Sequence, residues 1–312
     1  MRSLVLAVCL LCGCDRAFGL TERDPLDAPP DAPPDAAGDT DGDTLLDVDD
    51  NCPALANLNQ HDEDADTVGD VCDNCPHIAN SSQDNTDQDN LGEACDASTG
   101  TLDCLVRFDP FTGPNVPVAS QGTWILEGGD TLAQNNLTAP NAYVLVDLSS
   151  RNNPLVITRA RVKQIFDPNA FSNLGVWAEA SASKTTQGVP DVGFLAEVGH
   201  LTTAVPTDNT KAGLHTAMHT GPTAVTPDAF PQFMPFQRMT PGSVVDLRLD
   251  MRGASIVQSS ARLDGGTELV QTSSIAAVPG GRVAFRTHKM TAAFDYIVIV
   301  ERRAALPCPV RN

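Results

Sequence analysis

Side-chain oxygens recur at relative positions 1, 3, 5, 9 and 12 in three windows of this 312-residue chain: Asp39, Asp41, Asp43, Asp47 and Asp50; Asp62, Asp64, Asp66, Asp70 and Asp73; Asn85, Asp87, Asp89, Glu93 and Asp96. A loop with that comb can wrap one calcium ion, a hard cation that takes six to eight oxygens at about 2.3–2.6 Å. Position 7 gives its backbone carbonyl, so Leu45, Val68 and Leu91 need no polar side chain. The windows start 23 residues apart. Cys52 and Cys72 are 20 residues apart, and so are Cys75 and Cys95. Three or more bound Ca2+ ions are expected. Composition alone favours a disordered acidic spacer; the cysteine register argues against it.

The acidic excess belongs to the front of the chain. From Leu20 to Asp103 there are 23 acidic residues and one basic residue, whereas the rest of the chain beyond the leader is nearly neutral. Such a segment repels itself unless cations neutralise it, and no basic surface is assembled that would hold nucleic acid. Nine cysteines divide by position. Cys9, Cys12 and Cys14 fall in or at the end of an apolar leader; Cys52, Cys72, Cys75, Cys95, Cys104 and Cys308 remain as an even six, the count expected of disulfides in an exported protein. Six cysteines allow fifteen pairings, of which spacing favours Cys52 with Cys72, Cys75 with Cys95, and Cys104 with Cys308. Cys72-Asp-Asn-Cys75 also has CxxC spacing, but no βαβ pattern surrounds it and carboxylates flank it.

Residues 1–13 form a charged start and an apolar run too short for a permanent span. Leu11-Cys12-Gly13-Cys14 resembles a bacterial lipobox, which implies lipidation of Cys14 and a membrane held by the lipid alone. The alternative is cleavage after Ala17-Phe18-Gly19, giving a secreted protein. Residues 14–38 contain Asp-Ala-Pro-Pro-Asp-Ala-Pro-Pro-Asp, an extended spacer, because proline fixes φ and keeps its neighbour out of the helical region.

Asp50-Asn51-Cys52-Pro53 and Asp73-Asn74-Cys75-Pro76, followed by Asn57 to Gln60 and Asn80 to Gln83 as Asn-x-x-Gln, resemble thrombospondin type 3 repeats over about residues 39–96. The resemblance implies an irregular stalk organised by calcium and by disulfides of this spacing, with Asn57 and Asn80 as further ligands. Glycine usual between the second and third ligands is kept as Gly42 but replaced by Ala65 and Gln88, and Thr44, Thr67 and Asn90 stand where the next one is usual. The physics agrees with a metal-shaped stalk: without Phe, Tyr or Trp from Asp39 to Asp96, burial at about 25 cal/mol per Å² cannot offset roughly 1–2 kcal/mol of ordering entropy per residue.

Residues 104–308 have the size and apolar supply of one β domain, with residues 39–103 as the repeats and 309–312 as a tail. Val245, Leu247, Leu249 and Met251 alternate with Asp246, Arg248, Asp250 and Arg252, and further strands are expected at 142–148, 174–180, 192–198, 255–263, 282–288 and 294–300. Asp264-Gly265-Gly266 reads as a hairpin turn. Trp124, the Gly175-Val176-Trp177 strand, and Gly281 to Phe285 with Phe294-Asp295-Tyr296 resemble a concanavalin A-like, laminin-G-like sandwich, which implies adjacent termini bridged by Cys104 and Cys308. The fold class is therefore mainly β: a calcium-organised repeat stalk and an antiparallel jelly-roll sandwich. No catalytic residue is assigned, since paired carboxylates two apart on one strand are missing and Glu179 and Glu197 each stand alone. His215 and His219 read as loop residues, and residues 202–241 as a recognition loop. The expectation is a calcium-binding surface protein that presents a sandwich to glycan or a cell-surface protein, with an exported glycoside hydrolase or a structural spacer as alternatives. Its stalk should expand on calcium removal while the sandwich stays folded.

Overall fold

A computed structural model describes residues 38–96, 102–113, 119–137, 141–147, 153–166, 172–180, 192–200, 213–220, 225–227, 238–252, 256–274, 281–303 and 307–308. The leader, Cys14, the spacer up to residue 37, the tail 309–312 and most of the 202–241 loop lie outside these residues, so lipidation and the spacer remain sequence expectations. Contacts divide the chain into two compact units, residues 1–60 and 61–312. The first window lies in the first unit, and the second and third windows share the second unit with the sandwich.

Among the described residues the sandwich has 15 strands and every pairing is antiparallel. One sheet runs β13 (Leu269–Ser274), β12 (Ile256–Leu263), β11 (Val244–Met251), β6 (Pro154–Ile165), β15 (Met290–Arg303), β4 (Thr131–Gln134) and β3 (Trp124–Glu127), with β1 (Leu102–Asp109) also paired to β15. The other runs β10 (Val225–Pro227), β9 (Gly213–Thr220), β8 (Val192–His200), β7 (Ser172–Ala180), β14 (Arg282–His288), β5 (Ala142–Asp147) and β2 (Ala119–Gln121). Alternation decides which face each residue takes. Val245, Leu247 and Leu249 of β11 enter the core between the sheets, which Phe285 of β14 and Phe294 of β15 bridge by stacking at 4.0 Å between ring centroids. Trp124 packs on Phe294 in that core at 6.0 Å.

Asp264 and Gly265 take left-handed backbone, at φ 50° and 69°, and turn the chain back so that β13 pairs antiparallel with β12. The first and last described strands lie side by side, Cys104 facing Glu301 across β1 and β15, and Cys104 is bonded to Cys308. Cys75 is bonded to Cys95, and Cys52 and Cys72 are each in a disulfide. Strand β9 is the departure from expectation. Residues 213–220, read as loop because glycines flank them, form a strand between β8 and β10. A glycine at each end did not stop sheet pairing, because β8 supplies a full ladder along β9 and β10 pairs with Ala217 to His219 on the other side.

Each sheet also carries apolar residues on its outer face. On the eight-stranded sheet these are Leu105, Leu155, Tyr296, Val298 and Val300, joined by Leu91 from the third window. On the seven-stranded sheet they are Tyr143, Leu145, Trp177, Ala180, Leu195 and Ala284.

Candidate calcium loops and the outer faces of the sandwich

The three windows fold alike, position by position. At position 5, the outer carboxylate oxygen of Asp43, Asp66 and Asp89 accepts the backbone N–H fourteen residues on, at Asn57 (2.8 Å), Asn80 (2.6 Å) and Asp103 (2.8 Å). Its other oxygen accepts the N–H of position 7, at Leu45, Val68 and Leu91. At position 9, Asp47, Asp70 and Glu93 each accept the N–H of position 2, closing the loop at 2.8–3.0 Å. Asp70 also binds His61 Nδ1 at 2.6 Å, a bond that raises the His61 pKa. At position 12, Asp50 and Asp73 accept the side-chain amides of Gln60 and Gln83, both at 2.7 Å. Position 1 closes the turn: Asp39 and Asp62 accept N–H groups from Thr44 and Thr67, and Asn85 from Gln88.

Position 3 stands apart. Asp41, Asp64 and Asp87 each present buried carboxylate oxygens with no hydrogen-bond partner, one in Asp41, both in Asp64, one in Asp87. Buried anionic oxygens left unpaired are costly, and the same position is left so in three successive loops, an arrangement that suits a cation ligand. The neighbours converge: ligand atoms of Asp39, Asp41 and Asp43, of Asp62, Asp64 and Asp66, and of Asp87, Asp89 and Asp96 lie within 4.8 Å of one another in each set. Burial, followed by Asp73, Asp66 and Asp62, pushes the Asp64 carboxyl up to about 7; burial and the crowding of like charge also raise Asp41 and Asp89. All-oxygen, carboxylate-rich donor sets with a backbone carbonyl at position 7 suit Ca2+. When bound, the ion would neutralise this crowding.

The absent glycines matter here. Thr44 (φ 82°), Ala65 (φ 62°), Thr67 (φ 81°) and Gln88 (φ 66°) all sit in left-handed backbone alongside Gly42 (φ 82°). A β-branched residue there is a steric outlier, costing roughly 1–2 kcal/mol. Thr67→Gly should therefore stabilise the protein by about 1 kcal/mol. Urea titration in calcium tests this, and an unchanged or lower midpoint would contradict it.

The third window ends differently. Where Asn57 and Asn80 follow the first two, Asp103 of β1 follows the third, so the sandwich itself completes the last loop. Asn90 then clamps β1 from both sides, donating to Leu105 O (2.9 Å) and accepting Leu105 N (2.7 Å). Asp103 was missed by motif, yet residues 57, 80 and 103 keep the 23-residue step. The signal was there.

On the same outer face, His77 rests on Tyr296 with 5.9 Å between ring centroids, and its Nδ1 is buried without a hydrogen-bond partner. Burial, then Arg159 and Arg248, push its pKa down to about 4. The unfolded chain therefore binds a proton through the interval from about 6.5 to 4 that the folded chain refuses, and stability drains as pH falls through it. About 2 kcal/mol should be lost between pH 7.5 and 5 from this residue. Urea midpoints at the two pH values check it by difference: His77→Gln should lose less stability than the natural chain, and an equal loss would contradict the assignment.

The outer face of the seven-stranded sheet holds a charged cluster that sequence reading did not anticipate. Glu197, 2% exposed, lies opposite Gly175 of β7 and His215 of β9. Its two oxygens are taken by Arg286 Nη1 (2.6 Å) and His215 Nδ1 (3.1 Å). Arg286 also donates to Asn141 Oδ1 (2.9 Å), which lies 2.9 Å from His288 Nδ1. Burial alone would raise the Glu197 pKa, but Arg286 and then His215 outweigh it and hold the carboxyl low. An ionised, doubly paired carboxylate is no proton donor, so Glu197 does not resemble the acid of a glycosidase pair. Glu179 lies on β7, its side chain outside the described residues. Trp177 is fully buried here, with Tyr143.

Comparisons with known proteins follow the same division. No curated protein is recognisably similar in sequence. Among solved structures, peanut lectin with a nine-residue peptide matches at TM-score 0.42 and 14% identity, over 64% of this chain and 97% of that one. A Bacillus licheniformis beta-glucanase matches at 0.37 and 10%, over 63% and 97%, and an alginate lyase at 0.39 and 12%, over 64% and 98%. Likenesses this distant leave ligand and reaction to be read from the side chains of this chain. Residues 35–60 and 60–83 match the thrombospondin type 3 repeat family. The front of the chain thus carries thrombospondin type 3 repeats, and an all-β sandwich of two antiparallel sheets follows them.

Proposed function

We propose that this is an exported surface protein, lipid-anchored through Cys14, whose three loops each hold calcium and whose sandwich binds glycan in an adhesive role. The observation that carries the calcium part is the position-3 carboxylate, which in all three windows keeps at least one buried oxygen without a protein hydrogen-bond partner. A non-enzymatic sandwich fits the outer faces: Glu197 is spent on Arg286 and His215, while exposed arginines and carboxylates beside aromatic rings suit sugar hydroxyls and faces. Disulfides agree with an oxidising, extracellular setting. The anchor supplies the membrane contact, and the partner is a glycan or a glycosylated cell-surface protein.

A glycan array probed with the oxidised whole protein, with and without EGTA, tests the reading. Calcium-dependent retention of a defined set of glycans is expected. No retention in calcium would contradict glycan binding, and turnover of a polysaccharide that Glu197→Gln abolishes would replace it with an enzyme.

A further inference from the structure

The eight-stranded sheet's outer face and the second and third repeats line an open cavity of about 380 Å³. This is the lower range for a small-molecule site, enough for one or two sugar rings. One wall is His77, Cys95 and Asp96 of the repeats; the other is Arg159, Asp246, Arg248, Arg262, Ser260, Glu268 and Tyr296 of the sheet. Register explains the convergence. Asp246 of β11 faces Arg159 of β6 on one side and Arg262 of β12 on the other, and Arg248 faces Ser260, so five polar side chains rise from adjacent strands on the face turned away from the core.

Their pairing is unequal. Arg159 is held by Asp246 at 2.8 Å and lies over the Tyr296 ring at 5.8 Å. Arg248 reaches Asp250 at 3.3 Å, and that carboxylate also holds Arg252 (2.9 Å) and Arg302 (2.7 Å), the last of which lies 3.7 Å from Asp103 as well, so three guanidiniums share two carboxylates. Among the described residues the side chains of Arg262 and Glu268 have neither ion pair nor hydrogen bond, and Arg262 is exposed at the cavity. Under-neutralised guanidiniums seek a planar anion such as a carboxylate, which they grip bidentately. Carboxylates of Glu268 and Asp246 and the Ser260 hydroxyl suit sugar hydroxyls, and the rings of His77 and Tyr296 give an apolar floor. The His77 Nδ1, buried without a partner, is one more polar atom at this wall.

We propose that this cavity binds the terminal residue of an acidic saccharide, a uronic acid, with its carboxylate on Arg248 and Arg262 and its hydroxyls on Glu268 and Ser260. This rests on the glycan-binding reading and narrows it to one place and one sugar chemistry. Asp96 belongs to the third carboxylate set and also lines the cavity, which makes the wall depend on the third loop being ordered.

The test is a ligand-observed NMR titration of the oxidised whole protein in calcium with methyl β-D-glucuronide and methyl β-D-glucoside, which differ at one carboxylate. The glucuronide should bind at least ten times more tightly, and Arg262→Ala, at an exposed position that is safe for folding, should erase most of that preference. Arg262→Lys should keep part of it. Equal affinity for the two glycosides, or a preference untouched by both Arg262→Ala and Arg248→Ala, would overturn the cavity assignment while leaving array-detected glycan binding standing. Binding of neither glycoside, together with an array negative in calcium, would remove the glycan reading itself.

Discussion

Stripping calcium from the whole protein lowers the unfolding temperature of the sandwich, in addition to loosening the repeats. The expectation from sequence was a stalk that expands while the sandwich stays folded. The structure changes that expectation because the third loop is built into the sandwich. Asp89 accepts the Asp103 N–H of β1, Asn90 clamps Leu105, and Leu91, 3% exposed, sits in the apolar patch with Leu105, Tyr296 and Val298. A ligand present at a hundred times its dissociation constant contributes about 2.7 kcal/mol per site. Two windows lie in the unit that includes the sandwich, and about 5 kcal/mol in a domain of this size moves the midpoint by roughly 10–20 °C. Differential scanning calorimetry in millimolar calcium and in EGTA measures it. Leu91→Ala, which keeps every carboxylate, separates packing from metal: it should cost about 2–5 kcal/mol with calcium present. A sandwich transition at the same temperature with and without chelator would contradict the coupling.

Breaking the Cys104–Cys308 bridge has an effect of similar size. It closes a loop of 204 residues, and constraint of the unfolded chain by a loop that long contributes about 5 kcal/mol by the chain-entropy estimate. The bridge also fixes β1 beside β15, so its loss frees the strand on which the third loop docks. The double variant Cys104→Ser, Cys308→Ser should lose about half the stability of an ordinary domain, with a lower urea midpoint and a steeper slope, because the unbridged unfolded chain exposes more surface. A loss below about 1 kcal/mol would show that β1 is held by its sheet partners alone.

How much was legible follows the periodicity of the signals. The ligand comb, the 23-residue step and the paired cysteine spacings are local, and three carboxylates of each window converge in the folded loops. Strand alternation is local too, and the hairpin at Asp264-Gly265 and strands such as β5, β11, β12 and β14 fall where alternation puts them. What escaped depends on distant partners. Strand β9 lacks clean alternation and is fixed by β8 and β10. The Glu197, Arg286 and Asn141 cluster joins β8, β14 and the residue that precedes β5, with Arg286 and Asn141 145 positions apart in sequence. The arginine-lined cavity needs both the register of β6, β11 and β12 and a repeat folded across them. Asp103 is the instructive miss: its 23-residue step is readable, but it falls beyond the cysteine and Asn-x-x-Gln landmarks that marked the first two repeats.

The central claim is that carboxylates at position 3 are reserved for calcium, and one titration tests it most directly. Isothermal calorimetry of Ca2+ into the oxidised whole protein should give heat corresponding to at least three ions. The triple variant Asp41→Asn, Asp64→Asn, Asp87→Asn should abolish most of that heat while its disulfides still form. No heat from the natural protein, or an unchanged isotherm from the triple variant, would contradict it.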